Sequence, residues 1–377
     1  MKNILIVTDS LRGGGAEKVL YDILKNIDLK SYKIDIFLIF NYGIYKYKIE
    51  ELGIRIEGLF NERKDLFKNI FYRKLKSLLI KIFRSIYCRY PFLIKNLKSK
   101  EYDIEISFLE GYSSVLVANR KNNSKKIGWI HIDLEKHKMI NRNLEIESYK
   151  KIDKIICVSN DSKRSVENLY PSLKNKIKVI YNPIPKEEIL KNCLEENSIY
   201  PNRRINIVTV GRLNRQKGYD TLLKAHKELL EEGLEYNLYI LGEGEERKKL
   251  EKYIKDNNIE KNTFLLGFKE NPYPYIKEAD IFISSSRYEG YPLVICEAIC
   301  LEKPIIATKC TGPNEILEGG KYGLLAEVES VESLKENMKK LILNEELRKK
   351  YSELSGERSK IFDVNKSLKE IMKILED

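Results

Sequence analysis

The chain has 377 residues, of which only three are histidine and six cysteine, and neither type is arranged for metal or disulfide chemistry. No Cys-x-x-Cys pair occurs among Cys88, Cys157, Cys193, Cys296, Cys300 and Cys310, and several of these lie in apolar stretches as small core residues. A disulfide framework and a structural zinc are therefore not expected. His131, Asp133 and His137 are close in sequence, but their spacing matches no zinc motif, and there is no Asp-x-Asp pair for magnesium, so no metal is expected. No charge-free apolar run approaches the ~18 to 20 residues of a membrane span. The stretch Met1 to Asp9 lacks the basic, apolar and cleavage regions of a signal peptide, which points to the cytoplasm. With 42% hydrophobic and 33% charged residues the chain is neither disordered nor fibrous, and its length suggests two domains.

The net charge of +12 is concentrated. Residues 62–100 carry twelve basic side chains against Glu62 and Asp65, a balance of +10. Projected at about 100° per residue, Leu75, Leu78, Leu79, Ile82, Phe83 and Ile86 fall on one arc, and Arg73, Lys74, Lys76, Lys81 and Arg84 on the other. This predicts an amphipathic basic helix. A helix whose apolar stripe packs on a sheet beneath merely solvated charges has the same pattern. The reading favoured here is attachment of the five cations to an anionic membrane surface, where each basic residue contributes ~1 kcal/mol. Nucleic acid is not expected, because no zinc-finger spacing, aromatic RNA-binding signature or basic zipper accompanies the patch.

Along the chain, the apolar run Asn3 to Asp9 precedes Gly13-Gly14-Gly15 and a helical pattern through Val19, Leu20, Ile23 and Leu24. The same order of strand, loop and helix returns at Ile205 to Gly211, Arg212 to Gly218, and Leu222 to Leu229. Short apolar strands alternate with helix-length segments in both halves, which predicts two α/β Rossmann-like domains with parallel sheets. The boundaries expected are 1–183 for an N-terminal domain, 184–204 for a proline-marked linker and 205–361 for a C-terminal domain. Open sheets of this kind bind ligands at the carboxyl ends of their strands, so the chemistry is sought in the loops there.

Two loops stand out. In Val210 to Gly218, Arg212 and Lys217 follow a strand and precede a helix. A planar guanidinium and a mobile ammonium together neutralise a diphosphate, including one that departs during reaction. In Ser286 to Ala298, Gly290, Tyr291, Pro292 and Leu293 lead into a helix whose N-terminus offers free N–H groups to an anion. Glu297 within that helix suits a pair of ribose hydroxyls, and Glu289 before it suits those of a second sugar. Gly14 and Gly15 lie in a glycine run that permits a phosphate cradle. That run fits neither the dinucleotide-binding G-x-G-x-x-G pattern nor a Walker loop, which argues against a dehydrogenase and a P-loop NTPase. His131 follows the strand-like Lys126 to Ile130, on the ligand-facing edge of its sheet.

Taken together, these residues resemble the retaining GT-B-fold glycosyltransferases known as group 1, or glycosyltransferase family 4. The resemblance covers most of the chain. It rests on Gly14 to Glu17, Val210 to Gly218, Leu241 to Gly244, Leu266 to Phe268, Glu289 to Glu297, Lys303 to Ala307, Gly312 to Ile316 and Tyr322 to Leu325. Carried over to these positions, it implies that Arg212 and Lys217 hold the donor diphosphate and Glu297 the ribose. Glu289 with the Gly290 to Leu293 backbone would hold the transferred sugar, and Phe268 would sit by the base. It also implies that Gly14 and Gly15 line the phosphate side, that His131 lies against the sugar near the reacting carbon, and that residues 362–377 cross back to the first domain as a helix.

The activity implied is transfer of a hexose or N-acetylhexosamine, with retention and without metal or other cofactor. The donor expected is a nucleotide diphosphate sugar, UDP-linked, and the acceptor a lipid-linked saccharide of capsule, lipopolysaccharide or glycan assembly. The location expected is peripheral, at the inner face of the cytoplasmic membrane. The rivals are a nucleotide-sugar epimerase on the same fold and a non-catalytic membrane adaptor. A phosphorylase is disfavoured, since no convincing lysine motif for pyridoxal phosphate is present.

Overall fold

The computed structural model describes residues 1–61, 70–98, 100–194, 199–201 and 204–376; for 70–77, 96 and 98 the backbone alone is described. The chain forms two compact units, Met1–Pro183 with Lys366–Asp377, and Ile184–Asn365.

The first unit carries β1 (Lys2–Thr8), β2 (Tyr32–Asn41), β3 (Arg55–Asn61), β4 (Ile104–Ser107), β5 (Lys125–Ile130), β6 (Lys154–Cys157) and β7 (Ile177–Val179). They form one sheet in the order β3-β2-β1-β4-β5-β6-β7, and every pairing is parallel. Ile4 to Val7 are all buried, as expected of a central strand covered by helices on both faces. β1 lies between β2 and β4, so the chain reverses direction across the sheet there. The loops after β1 and β4 thus flank a point where parallel sheets open toward a ligand.

The second unit repeats the plan with β8 (Ile205–Val210), β9 (Tyr236–Leu241), β10 (Thr263–Gly267), β11 (Ile281–Ser284), β12 (Ile305–Thr308) and β13 (Leu324–Ala326). The order is β10-β9-β8-β11-β12-β13, with the reversal between β8 and β11. Its core joins Ile207, Leu222, Ile240, Ile283 and Met338. Within it, His226 lies between the Tyr236 hydroxyl, 2.7 Å from Nδ1, and Thr263 Oγ1, 3.0 Å from Nε2.

The last helix, Val364–Glu376, packs on the first unit through Leu368, Ile371, Ile374 and Leu375. Its C-terminal carbonyls are capped by lysines from the sheet. Lys2 Nζ donates to Leu375 O at 2.8 Å and Lys125 Nζ to Ile374 O at 2.7 Å, which suits the negative end of the helix dipole.

Two expectations change. Within the expected linker, Lys186–Asn192 is a helix of the second unit that buries Ile189, with Cys193 buried beside it. Lys186 Nζ bonds Ser359 Oγ at 2.8 Å. The spacing of Ile189 and Cys193 makes a short apolar seam hidden in a polar sequence. The second change concerns the basic segment. Residues 62–69 and the side chains of Arg73, Lys74 and Lys76 lie outside the described residues. The helix Ile70–Arg89 forms, but it packs through Tyr87 and Cys88, while Leu78, Leu79, Ile82, Phe83 and Ile86 are exposed, Leu78 to 54%. Lys81 is exposed. Arg84, expected among the outward cations, instead turns inward, its Cζ 4.2 Å from the Tyr112 ring centroid. The aromatic face on the neighbouring helix Tyr112–Asn119 and the shared side with Cys88, one turn on, account for that. Among the described residues, no helix is long and apolar enough to cross a membrane.

Burial pushes the pKa of His226 down to about 3, so the native state keeps it neutral through the acid range. The unfolded chain protonates this ring below about pH 6.5, so the associated stability is complete above that pH and is lost on acidification toward 3. The one group accounts for about 2 kcal/mol between pH 7.5 and pH 5. Urea melts at the two pH values should show His226→Gln less stable than the parent at pH 7.5 and the gap closing by about that amount at pH 5; an unchanged gap would contradict the assignment.

Candidate functional site

The loops after β8, β9 and β11 meet through backbone contacts that only glycine allows. Gly242 has φ +147°, and a Cβ there would lie 1.9 Å from the Gly211 carbonyl oxygen, so the loop after β9 presses directly on the one bearing Arg212. Gly218 has φ +64°, and a Cβ there would lie 2.1 Å from Ser285 O, which seats the start of the helix Tyr219–Glu231 against the loop after β11. Arg287 locks the same junction. Its guanidinium bonds Asp220 at 2.9 Å, Glu329 at 2.6 Å and the Arg215 carbonyl at 2.6 Å, and these carboxylates raise its pKa further.

This frame brings Lys217 and Glu289 together. Lys217 Nζ lies 2.5 Å from Glu289 Oε1, and both side chains are largely out of water. Ser286 Oγ donates to the same oxygen at 2.8 Å, and Gln216 Nε2 donates to the Tyr288 carbonyl at 3.0 Å. A charged pair in this setting is strong and geometrically fixed. Arg212 is exposed at the mouth of its loop, with no side-chain partner among the described residues. The helix Leu293–Cys300 follows Pro292 at its N-cap, and the preceding residues Gly290 and Tyr291 are buried. Glu297 is buried within that helix and accepts from the Tyr273 hydroxyl at 3.3 Å. Phe268, after β10, is 52% exposed, a large aromatic face open to a ligand. Arg212, Lys217, Phe268, Glu289, the Gly290 to Leu293 turn and Glu297 all therefore belong to the carboxyl edge of the second unit's sheet.

The first unit carries its own group of residues at the equivalent edge. Gly14 is the N-cap of the helix Gly15–Asn26 after β1. His131 follows β5, with its ring 5.0 Å from Phe108 and 6.2 Å from Trp129, centroid to centroid. Burial holds its pKa down to about 3 against a hydrogen bond to the Phe108 backbone. Its Nε2 is buried without a hydrogen-bond partner, so the neutral ring leaves that nitrogen open to a ligand hydroxyl. The backbone N–H of His131 donates to Glu110 Oε2 at 3.1 Å, and burial pushes the Glu110 carboxyl up to about 7.

Glu110, Ser286, Gln216, Tyr273 and Arg287 were not singled out from sequence. Glu110 could have been, since it follows β4 as His131 follows β5. The others act through local geometry that leaves no mark in composition.

Gly242→Ala should cost about 2 kcal/mol or more, since it adds both a collision and a strained φ. Thermal melting should report the loss, together with weakened binding of any ligand held by the Arg212 loop; a variant with parent-like melting would refute the contact.

Residues 194–357 match the family described as Glycosyl transferases group 1, and residues 13–188 match Glycosyltransferase Family 4. The chain is 31% identical over 313 residues to an uncharacterized glycosyltransferase of Methanocaldococcus jannaschii, covering 68% of this chain and 72% of that one. It is 27% identical over 388 residues, the whole of both chains, to the N-acetylgalactosamine-N,N'-diacetylbacillosaminyl-diphospho-undecaprenol 4-alpha-N-acetylgalactosaminyltransferase of Campylobacter jejuni. The crystal structure of Anabaena HepE in complex with UDP superposes with a TM-score of 0.77 at 20% identity over the full length of both chains, a likeness that shows the fold. Two parallel-sheet Rossmann-like units, the spacing of the Arg212 and Glu289 loops and these matches lead to one conclusion: the chain belongs to the group 1, family 4 glycosyltransferases of GT-B fold.

Proposed function

We propose that the chain moves a hexose or N-acetylhexosamine from a UDP-sugar to a lipid-linked saccharide, with retention at the anomeric carbon, in cell-surface polysaccharide or glycan assembly. The observation that carries this reading is the Lys217–Glu289 pair, 2.5 Å apart between two strand-end loops, with exposed Arg212 on the same loop as Lys217. In this reading Arg212 and Lys217 neutralise the diphosphate as it departs, supplying the charge that a divalent cation would otherwise bring. Glu289 accepts from hydroxyls of the transferred sugar while steering Lys217. Glu297 accepts from the ribose hydroxyls and Phe268 stacks on the base, with the Gly290 to Leu293 backbone and Gly14 and Gly15 toward sugar and phosphate. His131, held neutral and with Nε2 open, positions a sugar hydroxyl. Retention follows from attack on the face that the diphosphate leaves, through an oxocarbenium-like state, so that no protein side chain becomes glycosylated.

The Campylobacter relative's name, with its diphospho-undecaprenol acceptor, and the UDP complex of the Anabaena protein support the choice of acceptor and nucleotide. Attachment at the inner face of the membrane is supported by the exposed arc Leu78, Leu79, Ile82, Phe83 and Ile86, with Lys81 beside it.

Without added metal, the protein's melting temperature should rise with a UDP-sugar but not with GDP- or ADP-sugars, since a donor that binds only the native state stabilises it by mass action. Arg212→Ala and Glu297→Ala should abolish that rise, and Arg212→Ala should lower kcat by ~10² to 10³. Full turnover in Arg212→Ala would refute its role. Co-sedimentation with vesicles containing anionic lipid should fall in a Lys81→Glu, Phe83→Ser double variant; equal binding to neutral and anionic vesicles would count against the basic contribution.

A further inference from the structure

The six-residue helix Tyr273–Glu278 is too short to hold itself and is tied down from outside along its length. At its start, Asn271 Oδ1 accepts from Tyr273 N at 3.2 Å, and Asn271 Nδ2 donates to the Asn192 carbonyl at 2.8 Å. Asn192 ends the helix Lys186–Asn192, so one amide side chain serves an orphan group at the end of each element. Further along, the Tyr200 hydroxyl donates to Tyr275 O at 2.6 Å and Ile199 N donates to Glu278 Oε2 at 2.8 Å. Lys303 Nζ closes the far end on the carbonyls of Lys277 and Ala279, at 2.7 and 3.0 Å.

This anchoring decides where one hydroxyl goes. Tyr273 is buried, so its ring has little room to move, and its hydroxyl donates to Glu297 Oε1 at 3.3 Å. A carboxylate offers about four lone-pair directions, and a donor held on one oxygen fixes the plane in which the others lie. Phe268 stands three residues before Asn271 in the same segment. The exposed aromatic face and the Tyr273 hydroxyl therefore hang on one anchored stretch of chain.

We propose that Tyr273 is the positioning residue for Glu297 and thereby sets the preference of the site for a ribose over a 2'-deoxyribose. This rests on the reading of Glu297 as the acceptor of the ribose hydroxyls and deepens it. Tyr273 holds the carboxylate in the rotamer that meets the sugar, and Asn192, Ile199 and Tyr200 hold the helix that carries Tyr273. Without that hydroxyl the carboxylate turns among its rotamers. A ribonucleotide then loses a fixed partner, whereas a 2'-deoxy nucleotide has less to lose.

The test is calorimetric titration of the full chain with UDP and with 2'-deoxy-UDP. The parent should bind UDP about tenfold or more tighter than the 2'-deoxy analogue, since a fixed carboxylate left facing no hydroxyl is penalised. Tyr273→Phe should cut that ratio to about threefold or less, by weakening UDP and leaving 2'-deoxy-UDP nearly unchanged. Asn271→Ala should move the ratio in the same direction. Tyr275→Phe, which strips a hydroxyl from the same helix, should leave it at the parent value. Both nucleotides meet the same folded fraction of each variant, so a loss of stability cancels in the ratio. A parent-like ratio in Tyr273→Phe, with the preference abolished in Glu297→Gln, would overturn the proposal and leave the ribose reading standing. Equal affinity of the parent for the two nucleotides, or no binding of UDP, would overturn the ribose reading and the proposal with it. A collapsed ratio in Tyr275→Phe would also overturn the proposal, since the helix as a whole and not the one hydroxyl would then set the preference.

Discussion

The Lys217–Glu289 ion pair is the constraint on which the second unit's site depends. An ammonium and a carboxylate at 2.5 Å and mostly away from water hold each other in place only if their backbones are held first. That is the task of Gly218 and Gly242, which admit carbonyl oxygens where any side chain would collide, and of Arg287, which spans three loop segments. The polar site thus stands on a steric foundation of missing side chains. The charges of this site are arranged by the fold itself, so the cost of ordering them falls on folding instead of on the binding of any ligand.

In the first unit the corresponding edge is built differently. His131, Glu110 and Asp9 follow three adjacent strands, and burial shifts each toward its neutral form. Each group is therefore less charged than it would be in water, which suits hydrogen bonding to a neutral hydroxyl. The two units share a topology and divide the electrostatics: a preset ion pair in one, buried groups shifted toward their neutral forms in the other.

Much of this was legible in the sequence. Continuous apolar runs such as Ile4 to Val7 mark central parallel strands, because both faces are buried and no alternation is needed. The edge strands Arg55–Asn61 and Leu324–Ala326 are not legible in the same way, since charge, glycine or brevity interrupts their pattern. The loop motifs at Arg212 to Gly218 and Glu289 to Glu297 were legible because strand, glycine and helix start fall in a fixed order. The helix Ile70–Arg89 shows where periodicity stops informing. An apolar arc has a direction only relative to something outside the helix, so the sequence could not say that Tyr87 and Cys88 face inward and Phe83 outward. Arg84 was misassigned for the same reason: a cation counted as surface charge proved to be seated on Tyr112.

The closing helix carries a consequence for how the chain acquires its structure. Residues 366–376 complete the first unit, yet they are synthesised only after the whole of Ile184–Asn365. Until then the sheet edge that receives Leu368, Ile371 and Ile374 has no cover, and the ammonium groups of Lys2 and Lys125 lack the carbonyls they finally cap. During translation the second unit can therefore close as a contiguous piece while the first waits open. The part of the molecule made first is the last to be sealed, and a chain ending at Asn365 would carry the whole of the second unit, with its Lys217–Glu289 pair, beside an unfinished first unit.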